Sequence, residues 1–260
     1  MNTLASIPDD VQSETRFPAS TRTLLTLREH LIIDHPVNLR LKTSAVDLFE
    51  FFELYAHFVY DFAAYVSALF ANLADPDAKA HIYDNLLDEI GHQPDAQARY
   101  EQHHGELYRH FLASLRRTKI YRAAIDEERT RELQQLSRGI SQRFYEGHRD
   151  VLRAGNDRVT IAAFSSIEGW VSREYAMWRD LLREIGDDLR FVDMRTIDLH
   201  CECDVEHSRI LDDIIGRFVG GDDEPSAVHA VNSGLLRGIA LSVSLFDDIE
   251  RSLRAPRQLG

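Results

Sequence analysis

The stretch Asp193-Met-Arg-Thr-Ile197-Asp-Leu-His200-Cys201-Glu-Cys203-Asp204-Val-Glu-His207-Ser-Arg-Ile-Leu211-Asp-Asp-Ile214-Ile-Gly-Arg-Phe-Val219 places its apolar residues three and four apart, the period of an α-helix. At about 100° per residue, positions i, i+4 and i+7 fall within about 60° of one another. His200, Asp204 and His207 therefore leave one face. Ile197, Cys201, Leu211 and Ile214 share that face, so three polar groups interrupt what is otherwise a core stripe. Buried polar groups need partners. Two readings follow: the imidazoles hydrogen-bond to Asp204 or to backbone, or the three side chains hold a metal.

Upstream, the segment from about Arg158 to Ile185 carries the stripe Ile161, Phe164, Glu168, Val171, Tyr175 and Trp178, with a single carboxylate in its middle. An unpaired buried carboxylate costs several kcal/mol, which a bridging role between cations or a buried arginine would remove. Further helices are expected at about Thr21–Ile33, Ala45–Leu73, Asp77–Ile90, Ala96–Leu115, Asp126–Arg153 and Pro225–Leu253. They are punctuated by His35-Pro36, Asp75-Pro76, Gly91 with His92-Gln93-Pro94, Asn156-Asp157 and Gly220-Gly221. The helix at 126–153 has the weaker apolar periodicity and is expected to be the more solvent-facing. Strand-like alternation, internal repeats and composition breaks are absent. The fold class is thus all-α, a single bundle of seven to eight helices over 21–260, preceded by a loose segment at 1–20.

The chain has 260 residues, 44% hydrophobic, enough for a sizeable core, and a formal net charge of −13. That charge argues against nucleic acid and anionic membrane as partners and moves small-molecule chemistry up. The apolar run Val46–Ala74 is long enough to cross a bilayer, but Glu50, Glu53, His57 and Asp61 mark it as a buried core helix. The acidic, polar N-terminus has no secretory character, and Cys201 and Cys203 are spaced too closely for an unstrained disulfide, so a reducing cytoplasm is expected.

Glu89 closes the stripe of Ile82 and Leu86, and His104 opens that of Leu107 and Phe111, so both turn toward the same interior. Each has a plain alternative, a last-turn helical residue for Glu89 and a surface position for His104. Taken together, Glu89, Glu168 and Asp204 with His104, His200 and His207 match the donor number and hardness that two first-row metal ions want. Zinc would be served equally well by those atoms; the oxygen-rich set without a cysteine pair favours iron, with manganese or a mixed centre as alternatives.

These motifs, Asn85-Leu-Leu-Asp-Glu89-Ile-Gly91, His104-Gly-Glu-Leu-Tyr108, Ser166-Ile-Glu168 and His200-x3-Asp204-x2-His207, resemble the haem-oxygenase-like diiron oxidases and oxygenases over nearly the whole chain. The resemblance implies that the same six residues ligate two irons. It leaves His92, His103 and His110 in competition with His104, and His92 could pair with Glu89 at i, i+3. Glu53 or Asp61 could add a further carboxylate. Asp61 also lies in a segment similar to the pyrimidine-holding aspartate region of thiaminase II, which assigns it to a substrate pocket.

What the family implies is an O2-dependent oxygenase that takes electrons from a donor and acts on a small amine or amino-acid-derived substrate. N-oxygenation in specialised biosynthesis leads, followed by oxidative C–C cleavage or decarboxylation. A homodimer is expected. Phe58, Phe62, Tyr65, Phe164 and Tyr175 are candidate substrate-facing positions among many that simply pack. Haem degradation, with His30 as axial ligand, and a non-catalytic metal-binding bundle are the rival readings. A thiaminase-like hydrolase would need a pocket cysteine, and the two present adjoin the proposed ligands.

Overall fold

The computed structural model describes residues 17–91, 103–186, 189–220 and 225–253. Ten α-helices form among them: α1 Ala19–Ile33, α2 Pro36–Leu41, α3 Ala45–Asn72, α4 Pro76–Glu89, α5 His104–Leu115, α6 Lys119–Ala124, α7 Glu127–Arg153, α8 Asp157–Ile185, α9 Arg195–Gly220 and α10 Pro225–Ser252. No strand occurs among the described residues, so the all-α expectation stands. Eight of the helices are long; the six-residue α2 and α6 went unread in the sequence because they are too short to show periodicity.

Side chains fix most of the helix starts. Ser44, Asp75, Thr118, Asp126 and Asn156 each accept a backbone N–H of the first turn, and Pro36 and Pro76 supply the fixed φ of an opening turn. The long helix whose described start departs most from expectation is α5. It begins at His104, with His103 as its N-cap, where the periodicity placed a start near Ala96. Residues 92–102 lie outside the described residues.

α8 is the hub, packed between α9 and α10, while α3 packs lengthwise on α7. Gly234 and Gly238 on α10 allow the first contact. A Cβ at either would run into the backbone carbonyls of Val159 and Ala163, so only glycine lets α10 lie this close to α8. The second contact corrects the expectation for 126–153. α7 buries Leu133, Ile140, Phe144, Tyr145, His148 and Leu152 against α3, and its charged outer face is what masks the stripe in the sequence.

α3 is long and apolar enough to cross a membrane by composition alone. Its ionisable residues are engaged within the bundle. Glu50 takes two hydrogen bonds from Arg129, at 2.8 and 2.6 Å, and Arg129 also donates to the Ser252 carbonyl. Glu53 is held by Arg116 through both carboxylate oxygens and receives the Tyr121 hydroxyl at 2.7 Å. Arg28 braces the other side. It runs over Gly169, pairs with both oxygens of Asp212 at 2.8 and 2.9 Å, and reaches Ser165 and Ser208, tying α1 to α8 and α9.

Candidate metal centre

Four helices point polar side chains at one interior point. α4 contributes its face His81, Asn85 and Glu89, spaced i, i+4, i+8. α5 contributes its first residue, His104; α8 contributes Glu168; α9 contributes His200, Asp204 and His207. Each of the six expected ligands is buried, none more than 7% exposed. The chain turns away immediately after Glu89, because Gly91 adopts φ 68°, a left-handed conformation that favours glycine.

Ligand atoms of Glu168, Asp204 and His207 lie within 4.8 Å of one another. His207 Nδ1 is 3.6 Å from Asp204 Oδ1 and 3.9 Å from Glu168 Oε2. Beside this triad stand the other three. His104 Nδ1 is 3.0 Å from Glu89 Oε1, and the His104 and His200 rings are 4.7 Å apart. Glu89, Glu168, His200 and Asp204 share one cavity with Tyr55, Phe58, Val59, Phe62, Val171 and Tyr175. The cavity is small, about 20 Å³, close to the room that one water occupies.

The electrostatics set these carboxylates apart from the others in the core. Glu50 and Glu53 are neutralised by arginines, whereas no lysine or arginine lines this cavity. The bland alternative for Glu168, a buried arginine partner, is therefore absent among the described residues. Burial, with the Asp204 charge adding to it, pushes the Glu168 carboxyl up to about 8. Burial opposes charge on His207 as well, but its hydrogen bonds to Asp204 and Asp88 overcome that and lift it to about 11. On His104 burial again opposes charge, and the adjacent Glu89 carboxylate outweighs it to give a raised pKa. His200 has the opposite sign: burial holds it low.

Several buried atoms here have no well-aligned hydrogen-bond partner: His104 Nδ1, His200 Nδ1, Asp204 Oδ2 and Asn85 Oδ1. Such atoms are rare in folded proteins, and four around one point signal a missing ligand. Nitrogen and carboxylate donors in this number suit hard or borderline first-row metals, iron among them. The residues present therefore fit iron.

The structure also sorts the less certain candidates. His103 uses Nδ1 to cap α5, and His110 is exposed and bonded to Arg195, so neither reaches the cavity. His92 lies outside the described residues. Glu53 belongs to the Arg116 and Tyr121 cluster, a correction to its reading as an extra ligand. Asp61 is also displaced: it is exposed, accepts from Ser141 Oγ at 2.7 Å and lines a separate groove with Tyr65, Gln142, Tyr145 and Arg149. A carboxylate placed for the central cavity would have to leave the opposite face of α3. His30 is exposed on α1, which removes the axial position that haem chemistry would need. Of the aromatic candidates, Phe58, Phe62 and Tyr175 line the cavity, while Tyr65 and Phe164 stand behind it.

Two residues at the site had no assigned role in the sequence. Asn85 is fully buried, with Nδ2 3.1 Å from His207 Nδ1. Asp88 lies half-exposed, with Oδ2 3.2 Å from His207 Nε2. The i, i+4 spacing of Asn85 and Glu89 carried the signal for the first; nothing in the spacing singled out Asp88.

A family model described as iron-containing redox enzyme, haem-oxygenase-like, matches residues 49–241, a span that contains all six converging side chains. In structure the chain is similar to a CADD-like protein of unknown function from Nostoc punctiforme PCC 73102, with a TM-score of 0.63 at 12% identity, over 90% of this chain and 97% of that one. At that identity the likeness concerns the fold. No curated protein matches the sequence. With three quarters of its length in the matched span and a buried iron-compatible donor set within it, the chain belongs to the haem-oxygenase-like family of iron-containing redox enzymes.

Proposed function

We propose that this protein is a non-haem diiron, O2-dependent oxygenase whose six metal-holding residues are Glu89, His104, Glu168, His200, Asp204 and His207, and that it N-oxygenates a small amine. The observation that carries the reading is the convergence of three carboxylates and three imidazoles in one buried cluster, four of which line a cavity that no arginine or lysine lines. Six such donors are enough for two ions with positions left open. When bound, iron supplies the redox equivalents and open coordination sites that side chains lack. An electron donor completes the cycle.

The protein's own part is to shape and dry the reaction space. Tyr55, Phe58, Val59, Phe62, Val171 and Tyr175 wall the cavity with hydrocarbon and ring surface, which excludes water from the reacting atoms. Beyond the metal-holding groups, that wall offers no charged side chain to an incoming molecule. An amine that enters is thereby favoured in its neutral form, because burial disfavours the ammonium ion. The neutral form carries the lone pair that N-oxygenation consumes. Asp88 holds the His207 ring through Nε2 and so fixes its orientation, leaving Nδ1 toward Glu168 and Asp204 as the metal-holding nitrogen.

The test is anaerobic loading with Fe(II), a count of iron per chain, and oxygen uptake in the presence of small amines and amino acids. Two irons and amine-dependent uptake with an N-oxygenated product are expected. Uptake with release of CO2 or a one-carbon fragment would favour C–C cleavage at the same centre, and one iron or none would overturn the diiron reading.

A further inference from the structure

One hydrogen bond near the cavity has no place in that scheme. Tyr65 on α3 and His148 on α7 face each other with Tyr65 Oη 3.0 Å from His148 Nδ1, and both side chains are buried. Tyr65 has no other hydrogen-bond partner among the described residues, so its phenolic hydrogen points at Nδ1. His148 Nε2 has no partner at all among those residues. Full burial pulls the His148 pKa down to about 3, so the ring is neutral and Nδ1 carries a lone pair.

The pair stands directly behind the cavity wall. The Tyr65 ring is 6.2 Å from Phe62, which lines the cavity, and 6.0 Å from Phe164, one turn before Glu168 on α8. On its other side Tyr65 lines the surface groove of about 420 Å³ between α3 and α7.

Other tyrosines lie as near, and their hydroxyls separate them from Tyr65. Tyr108 donates to the Phe52 carbonyl at 3.0 Å and Tyr145 to the Phe58 carbonyl at 2.7 Å. Tyr175, stacked 4.3 Å from His200, has no acceptor among the described residues, and its neighbour Tyr55 offers only another phenol. An oxidised phenol is a strong acid, and it forms readily only where a base takes its proton. An amide carbonyl is not such a base; an imidazole lone pair is. Of these four hydroxyls, only that of Tyr65 is placed on one.

We propose that Tyr65 is a redox-active tyrosine that gives one electron to the oxidised iron centre while passing its phenolic proton to His148. The inference rests on the iron centre proposed above. The Tyr65 O–H bond breaks and an Nδ1–H bond forms, so His148 becomes an imidazolium and Tyr65 a neutral radical, and the centre's iron is reduced by one electron. Return of an electron to Tyr65, with the proton moving back from His148, restores the pair. The dry setting among Phe62, Phe144, Tyr145 and Phe164 shields the radical from solvent. Tyr65 also lines the α3–α7 groove, which gives it a second side away from the cavity.

Two measurements test this on the full-length protein. In metal-free protein, 15N NMR should show His148 Nδ1 as an unprotonated, hydrogen-bonded nitrogen whose shift moves in Tyr65→Phe; a protonated Nδ1 would reverse the pair and overturn the proposal. In protein loaded with Fe(II), counted for iron and freeze-quenched after exposure to dioxygen, EPR should show a tyrosyl radical whose splitting collapses with ring-deuterated tyrosine. Tyr65→Phe should keep its iron and lose the signal, and His148→Phe should keep its iron and lose it as well. A wild-type protein that loads two irons and consumes oxygen without a radical refutes Tyr65 alone, as does an undiminished radical in Tyr65→Phe. Failure to load iron refutes the centre, and the inference with it.

Discussion

His207 Nε2 lies 3.2 Å from Asp88 Oδ2 while its Nδ1 faces Asp204 at 3.6 Å and Glu168 at 3.9 Å, so one ring joins a half-exposed carboxylate to the buried donor cluster. A carboxylate on the far nitrogen of a metal-binding histidine fixes the ring and raises its basicity. The His207 hydrogen bond in turn holds the Asp88 carboxyl below its usual range. Asp88→Asn should weaken iron binding by about 10- to 100-fold, judged by competition with a chelator, with unchanged helical circular dichroism. Equal iron affinity in the variant would reduce Asp88 to a surface residue.

His104→Ala removes the one described histidine of α5 that stands beside Glu89 and His200. Iron per chain should fall toward half while the fold persists, because the Glu168, Asp204 and His207 triad remains. His92→Ala is the matched control. Loss of iron in that variant instead of His104→Ala would move the ligand to His92.

Glu174 is buried on α8, accepts Asn38 Nδ2 at 2.6 Å and makes no salt bridge among the described residues. Burial pushes it up to about 8, so the folded state holds a proton that the unfolded chain releases above its ordinary value near 4.5. Folded protein therefore binds more protons than unfolded between those values, and stability falls as pH rises from about 4.5 to about 8. Glu174→Gln keeps the acceptor for Asn38 and removes the titration. The variant should gain on the order of a few kcal/mol at pH 8 and nothing at pH 4, read from urea unfolding at both pH values. An unchanged pH slope would contradict the assignment.

Arg129 is 3% exposed and its guanidinium neutralises Glu50, itself 1% exposed. Arg129→Leu removes the buried guanidinium that neutralises that carboxylate, which costs about 3–5 kcal/mol. The double variant with Glu50→Leu should recover most of the loss in thermal or denaturant unfolding. A single variant as stable as wild type would show that water reaches Glu50.

The helical class and the most diagnostic face of the site are legible in the residues alone. Helical period places His200, Asp204 and His207 on one stripe whatever surrounds them, and Glu168 stands alone in its own stripe, because both patterns are local properties of a 3.6-residue repeat. The remainder follows from how the helices pack. Glu50, Glu53 and Glu168 look alike in sequence, and what separates them is whether another element brings an arginine, as α7 does for Glu50 and the C-cap of α5 for Glu53. His103 and His110 compete with His104 on paper until the cap of α5 turns His104 inward. Asp61 shares α3 with residues of the cavity wall but leaves the other side of the helix. Tyr65 and His148 stand 83 positions apart, and their hydrogen bond exists because α3 and α7 pack lengthwise. Such contacts depend on helix–helix packing, which fixes charge and hydrogen-bond partners between segments that no sequence period relates.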